Sequence, residues 1–321
     1  MVRGGYGIFY QPLYQWVALA SRVLNGENIV SLVRTLDDDT AGRAGAAVIW
    51  RYANQQGILG RRALSREDLA RCCGLEPGRD LIQGVTSELV NPYTHQASLG
   101  LERRLVGDIS AEVNYNIVRG VKILRNNITN LRPAGTQIIQ AGGQTLNFGP
   151  IFAPVNPNIR VKFLIGTEAS SIYHGMTARL SKRFSRNYQF LAAYTLGKAI
   201  DDATDITPTL APQNPLNARD ERSLSAFDVR HRLVISAVLE SPFRHAALRD
   251  FILSPISTYR SGYPFNLLLG VDPGTNPVFP PISTQRPAGA GRNTGLGPDY
   301  YSLDLRLARK FRFRERWTVE W

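Results

Sequence analysis

The chain has 321 residues and carries 38 Lys and Arg against 26 Asp and Glu, a formal net charge of +12. Its length suits one large or two ordinary domains, and it contains no run of about 18 apolar residues, which excludes a membrane-crossing helix. The basic residues are spread along the chain rather than massed with aromatics in a recognisable module, which argues against nucleic acid as a partner.

The opening "MVRGGYGIFY" shows no charged segment followed by an apolar one, so it does not read as a signal peptide. It fits either a cytoplasmic protein or a chain whose start lies upstream. Residues 2–10 are expected to form an aromatic-rich strand. A long irregular stretch, 11–90, follows. Within it Leu13, Trp16, Ala20 and Val23 recur at helical spacing, predicting a helix over about 13–24. A second helix is expected from Ser65, whose hydroxyl can cap the first turn while Asp68 stands at the reciprocal capping-box position. "LDDDT" (36–40) and "EPGRD" (76–80) read as exposed loop. Cys72 and Cys73 are adjacent, a spacing that strains a bridge between them and makes no zinc site. They are expected to be unbridged small residues beside a helix.

From residue 93 the pattern turns regular. In 93–105 Tyr93, Ala97, Leu99, Leu101 and Leu105 alternate with Thr94, Gln96, Ser98, Gly100 and Glu102. "VGD" (106–108) predicts a turn, and 109–123 alternates again, with Ile109, Ala111, Val113, Tyr115 and Ile117 on one face. Period-two alternation is the mark of a strand with one apolar and one polar face. Residues 124–170, rich in Asn, Gly and Pro, are expected to be a long loop. Strands over 173–184 and 188–199 follow, joined by "SRN". After a second long segment, 200–226, come strands at 227–241 and about 251–262. A third long segment, 263–299, leads to strands at 300–311 and "WTVEW" around "RFRER".

Connections thus run short, long, short, long, shorter, long, short. Strands of about 10–13 residues joined in this rhythm indicate an antiparallel transmembrane β-barrel, apolar outside and polar inside, with tight periplasmic turns and long extracellular loops. About nine strands are expected, part of a larger barrel, with 11–90 as a long extracellular loop carrying short helices and 91–321 as the strand-bearing region. A soluble sandwich has shorter strands and no reason to alternate its loop lengths. Tyr93, Tyr115, Phe184, Tyr188, Tyr194, Tyr301, Phe311 and Trp317 fall near strand ends on the apolar side, as interfacial rings do. Arg103, Arg104, Lys182, Arg183, Lys310, Arg312, Arg314 and Arg316 also gather at strand ends, where they suit anionic lipid headgroups or simple solvation.

Several stretches carry a family resemblance. "VRGGYGIFY", "NPYTHQASLGLERRLVGDISAEVNY", "YHGMTARLSKRFSRNYQFLAAYTLGKAID", "NARDERSLSAFDVRHRLVISAVLESPF", "TYRSGYPF" and "GRNTGLGPDYYSLDLRLARKFRFRERWTVEW" resemble TonB-dependent outer-membrane receptors of the Oar-like subgroup. The match covers most of 1–10 and 91–321 in order, and "FDVRHR" and "YTLGKAIDD" are its most specific parts. The resemblance implies a wall around a plug domain, uptake of a bulky nutrient, the outer membrane as location, its lipid as partner, and energy delivered through TonB. A plug, a TonB box and a closing strand are not read in this sequence, so the expectation is an internal piece of such a barrel.

No residue is assigned to catalysis, to a cofactor or to a metal, and substrate-binding residues are not predicted. Asp201, Asp202 and Asp205 could offer oxygen ligands to calcium, but the EF-hand spacing and glycine are missing, and solvated loop charge is the preferred reading, as for Asp37, Asp38 and Asp39. His231 shares the face of Val229 and Leu233 and reads as an interfacial or packed imidazole. No serine carries the flanking glycines of a nucleophile elbow. "GRNTGLGPD" leads into a strand rather than a helix, so it is no phosphate cradle. Glu112, Asn114, Asn116, Arg179, Arg230, Arg232, Asp304 and Arg306 are expected on the inward face as cross-strand partners. The rival readings are an extracellular adhesion or carbohydrate-binding β-protein, whose sheets would share an apolar core, and a secreted enzyme, which needs converging titratable groups.

Overall fold

The computed structural model describes residues 1–24, 46–73, 79–156, 159–203, 212–243, 245, 247–268, 286–287, 289–313 and 317–320. Asp37, Asp38, Asp39, Asp205, Arg314, Arg316 and Trp321 lie outside them.

The first strand, β1 (Val2–Tyr10), is followed among the described residues by three short helices, α1 (Gln15–Val23), α2 (Ala46–Gln55) and α3 (Arg66–Cys73). Helices α1 and α3 fall where their spacing and cap predict. Helix α2 was not anticipated. At α3 the capping box closes as expected: the Asp68 amide donates to Ser65 Oγ at 3.1 Å, and the Ser65 amide donates to Asp68 Oδ2 at 2.8 Å. The Arg62 guanidinium, paired to both carboxylate oxygens of Asp68, holds that carboxyl well below the usual carboxylate range, assisted by the Ser65 donors.

A strand within the first loop, β2 (Arg79–Val85), precedes the regular series β3 (Tyr93–Arg104), β4 (Ile109–Thr129), β5 (Leu131–Ala141), β6 (Gln144–Pro154), β7 (Ile159–Ser185) and β8 (Tyr188–Asp201). Then come β9 (Ser223–Leu224), β10 (His231–Glu240), β11 (Phe251–Arg260), β12 (Pro264–Phe265), β13 (Gly295–Leu296), β14 (Tyr300–Phe313) and β15 (Trp317–Glu320). Nine of these form one antiparallel path, β1-β3-β4-β7-β8-β10-β11-β14-β15, and β2 and β9 join it at β7 and β8. The sheet is open: β1 and β15 end the path and do not pair with each other.

Turn chemistry sets the register at the tight ends. Arg186 and Asn187 both take positive φ, 53° and 69°, the two-residue turn whose twist matches the flanking strands β7 and β8. Gly107, at φ 59°, lets Val106–Asp108 reverse the chain between β3 and β4.

Residues 124–170 depart from expectation. They are not a loop: β4 and β7 run to 21 and 27 residues, and β5 and β6 make a hairpin through Gly142 and Gly143. Asn130, at φ 65°, redirects the chain and donates from Nδ2 to the carbonyls of Asn156 and Ile159 at 3.2 and 2.7 Å. The extension is held by packing rather than by propensity. Helix α1 buries Val17 against Leu124 and Ile165, with Leu13 and Leu89 alongside. Each such buried chain contributes roughly 1.5–3 kcal/mol. Strand β2 lies parallel to β7 from Arg79 opposite Ile159 to Val85 opposite Ile165, taking the place beside β7 that β8 holds lower down.

Strand β10 begins at His231 rather than 227, because Asp228 accepts the Ala199 amide at 2.5 Å and fixes 225–230 as a turn over the end of β8. Gly262 sits against backbone: a Cβ there would lie 1.8 Å from the Gly297 carbonyl oxygen and 2.9 Å from that of Pro298. Neither neighbour is a flexible side chain. Gly262→Ala should therefore force the 261–263 and 295–298 segments apart and lower stability by roughly 1–3 kcal/mol, read by urea unfolding.

Candidate functional site

The sheet has two chemically different faces. One carries Leu99 and Leu101 on β3, Val113 and Tyr115 on β4, Met176 and Leu180 on β7, Ile235 and Leu239 on β10, and Leu303, Leu305 and Leu307 on β14, all exposed. Val113 and Tyr115 are 43% and 41% exposed, so they do not lie in a closed two-sheet core. The opposite face carries Ser98, Glu112, Asn114, Thr177, Arg179, Thr195 and Arg232.

On the apolar face, near the long-loop ends, three tyrosine–histidine pairs bridge alternate strand junctions. Tyr6 OH meets His95 Nδ1 at 2.6 Å, Tyr115 OH meets His174 Nδ1 at 2.8 Å, and Tyr194 OH meets His231 Nδ1 at 2.8 Å. Tyr259 and Tyr301 continue the series, their ring centres 4.9 Å apart. These residues do not share a register row. Followed through the ladder, the row of His95 crosses β7 at Ile172, His174 is on β7 itself, the row of His231 crosses at Met176, and that of Tyr301 at Ala178. The belt therefore steps two residues for every two strands.

One residue per strand, with a rise of about 3.4 Å and strands about 4.8 Å apart, corresponds to a tilt of roughly 35°. That is the tilt of strands in outer-membrane barrels, about 35–45°. A second aromatic level lies at the tight-turn ends. Lys182 Nζ stands 3.8 Å from the Tyr188 ring centre, and Arg309 lies over Phe251 and Phe311 at 4.9 and 5.3 Å. Six residues separate Tyr188 from Tyr194 on β8, and ten separate Tyr301 from Phe311 on β14. At that tilt the two levels stand roughly 17–28 Å apart, bracketing the apolar band of about 25 Å that such barrels present to lipid.

On the polar face cations meet acids on neighbouring strands. Arg3 pairs with Glu102, Arg179 with Glu112 at 3.9 Å, and Lys310 with Glu240 at 2.8 Å. Tyr173 lies over Gly175 and Gly197, where a Cβ would meet its ring at 2.7 and 3.3 Å, so the ring covers glycine backbone on this face. A hollow of about 450 Å³ opens beside Arg3, Ser98, Glu112 and Asn114, and another of about 580 Å³ at the loop end is lined by Phe9, Tyr14, Tyr93 and Leu124.

Above the strands the long connections are clasped by buried charge. Glu221 and Arg286, both 6% exposed, pair at 2.6 Å. Gln213 adds a mutual bond with Arg286, donating from Nε2 to its carbonyl at 2.9 Å and accepting its Nε–H at 2.9 Å. Arg292 pairs with Asp201 and donates from Nε to the Glu221 carbonyl at 3.0 Å. Asn293 donates to the Leu224 carbonyl at 2.7 Å.

The residues singled out in the sequence fall as follows. Asp201 is consumed by Arg292, and Asp202 accepts the Ser170 amide and hydroxyl at 2.8 and 2.9 Å, so neither stands as a free oxygen ligand. Among the described residues no group of three or more His, Cys, Asp or Glu is placed to hold a metal. His231 lies on the apolar face with Tyr194, their ring centres 6.2 Å apart. Glu112, Asn114, Asn116, Arg179, Arg232, Asp304 and Arg306 share the polar face, while Arg230 lies in the turn before β10. The strand-end cations divide by alternation: Arg103 and Lys182 fall on the apolar face and Arg104 on the polar one, while Arg183 lies in the irregular end of β7. The loop clasp was not anticipated, although its members Glu221, Asp228, Arg292 and Asn293 sit inside the very stretches that carry the resemblance.

Residues 1–289 match the family described as "Outer membrane beta barrel domain". The chain belongs to that family and lies in the outer membrane. Two solved structures are similar: the outer membrane transporter YddB from Escherichia coli, at 10% identity and a TM-score of 0.43, and the FpvAI–pyocin S2 complex, at 12% and 0.37. The similarity covers 72% and 70% of this chain but only 28% and 21% of those chains. No curated protein matches. Cys72, expected to be unbridged, is disulfide-bonded, in keeping with an oxidising compartment outside the cytoplasm.

Arg286→Ala should leave the buried Glu221 carboxylate without its closest cation. Breaking a buried pair from one side costs roughly 3–5 kcal/mol, so amide hydrogen exchange over 212–224 should accelerate by about a hundredfold or more, while Arg183→Ala, at an exposed turn end, leaves it unchanged.

Proposed function

We propose that this chain is part of the wall of a TonB-dependent outer-membrane transporter or receptor, Oar-like in type, that takes up a bulky nutrient. The observation that carries the reading is the tyrosine–histidine belt, stepping one residue per strand on the apolar face while the other face stays polar. It supports a membrane plane crossed by tilted strands, with the apolar face on lipid and the polar face on a lumen. The long clasped loops stand at the end of the sheet where a ligand would arrive from outside, and 11–90 would be the largest of them.

The open edges support a larger barrel. Unpaired backbone groups along β1 and β15 would each cost several kcal/mol in hydrocarbon, so further strands are expected to complete the wall in a longer polypeptide. In that setting the polar face would meet a plug domain, and TonB would supply the energy for its rearrangement. The work proposed for this chain is capture and passage, without bond-making chemistry.

Leu99 and Ser98 are neighbours on opposite faces of β3, near mid-height between the two aromatic levels. Leu99→Arg should destabilise the folded protein in phospholipid vesicles by about 2–4 kcal/mol, and Ser98→Arg by under about 1 kcal/mol. Equal losses would remove the assignment of faces.

A further inference from the structure

On the polar face one register row runs Arg3, Gly100, Asn114, Thr177, Thr195, Arg232, Arg260, Tyr300, one residue from each of eight strands. Thr177 and Thr195 satisfy each other by a hydroxyl–hydroxyl bond of 3.0 Å. The next two members are anomalous: Arg232 and Arg260 stand directly opposite each other on β10 and β11. Like charges in that position repel, whereas Arg3, Arg179 and Lys310 on the same face each meet an acid. Arg232 and Arg260 have no acid partner among the described residues, and Arg232 is exposed.

The nearby carboxylates are already engaged. Asp228 accepts the Ala199 amide, and Asp299 accepts the Gly262 amide at 3.0 Å and the Tyr259 hydroxyl at 3.1 Å. Asp304 lies four residues further down β14, opposite Ile256. Arg260 is also held in place. Its guanidinium lies over the rings of Tyr263 and Tyr300, with carbon-to-centroid distances of 4.5 and 5.0 Å, and donates to the Tyr263 hydroxyl. A guanidinium stacked on its faces keeps its edge N–H groups for an in-plane acceptor.

Both arginines sit at the height of the tyrosine–histidine belt, next to His231 and Tyr259 in sequence, beneath the clasped loops. We propose that Arg232 and Arg260, with Thr195, Tyr263 and Tyr300 around them, form an oxyanion-binding site at the outer mouth of the lumen, which receives the carboxylate or phosphate group of an arriving solute. The ligand's negative charge relieves the repulsion between the two guanidinium groups, and its oxygens take their unused donors. The site selects anionic solutes at the point of entry. It rests on the polar face being the lumen wall.

The test uses the whole protein that carries this sequence, purified in detergent, with citrate as the probe at low ionic strength and sucrose as the neutral control. Wild type should bind citrate and not sucrose. Arg232→Gln and Arg260→Gln should each weaken citrate binding about ten- to a hundredfold, the loss of a charge-assisted contact, and Arg104→Gln, at the opposite end of the wall, should leave it unchanged. Without citrate Arg232→Gln should not lower the unfolding temperature, since it removes a repulsion, whereas Arg260→Gln also gives up its stacking on Tyr263 and Tyr300. Citrate affinity that is absent from wild type or indifferent to both substitutions overturns the site. So does a lowered unfolding temperature of Arg232→Gln, because it means that an acid of the same polypeptide already occupies the pair. The Leu99→Arg and Ser98→Arg comparison reports on the faces separately, so loss of citrate binding with that asymmetry intact removes the oxyanion site alone.

Discussion

A backbone amide in hydrocarbon has no water to turn to, so every N–H and C=O must find its partner within the protein. In this chain the requirement is met strand by strand between the two open edges of a nine-membered antiparallel path. Everything else on the molecule is arranged around that ladder. Because the ladder fixes which residues lie opposite one another, it also makes the slope of any surface feature measurable. The three histidines and Tyr301, whose rows cross β7 at positions 172, 174, 176 and 178 in turn, trace a level that the backbone rows do not follow. A belt that cuts across the register at a constant slope is what a planar interface imposes on tilted strands.

The same constraint explains why the mouth is built from buried charge. Above the belt the strands of the wall diverge into long connections that lose the ladder, and their polar groups need other partners. Glu221, Arg286, Arg292 and Asp201 supply them, stitching the segment after β8 to the one before β14. Buried ion pairs of this sort contribute little net stability, but they specify one arrangement among many for loops that are otherwise rich in glycine and proline. The rim can thus hold side chains in place, such as the stacked Arg260, without a hydrophobic core of its own. A small core does form where β4 and β7 outrun the wall, and there α1 covers it.

How much of this was legible in the sequence follows from which forces write themselves into short patterns. The alternation of Val113 and Tyr115 with Glu112 and Asn114, the "VGD" and "SRN" turns and the Ser65–Asp68 cap are local, and each stands as read. The stretch 124–170 does not read as strand because Asn126, Asn127, Asn130, Pro133 and the glycines have low strand propensity, and the packing that holds its two outer parts, Leu124 of β4 and Ile165 of β7, comes from Val17 more than a hundred residues earlier. One local signal was there to be used: Gly142-Gly143 between "TQIIQA" and "QTLNF" is a two-residue hairpin signature. Helix α2 lacked a recognisable cap. The loop clasp and the opposed Arg232 and Arg260 were out of reach, since both depend on register between strands far apart in the chain.

The central claim, that the tyrosine–histidine belt marks one level of a membrane crossed by tilted strands, is tested most directly by depth. Spin labels at positions 95, 174 and 231, one at a time in the protein reconstituted in lipid, report depth from the ratio of collisions with oxygen and with a water-soluble relaxant. The account predicts the same depth at all three, within about half a residue's rise, although they occupy different register rows. Depths that step by about 7 Å from one position to the next, as the rows alone would dictate, would contradict it.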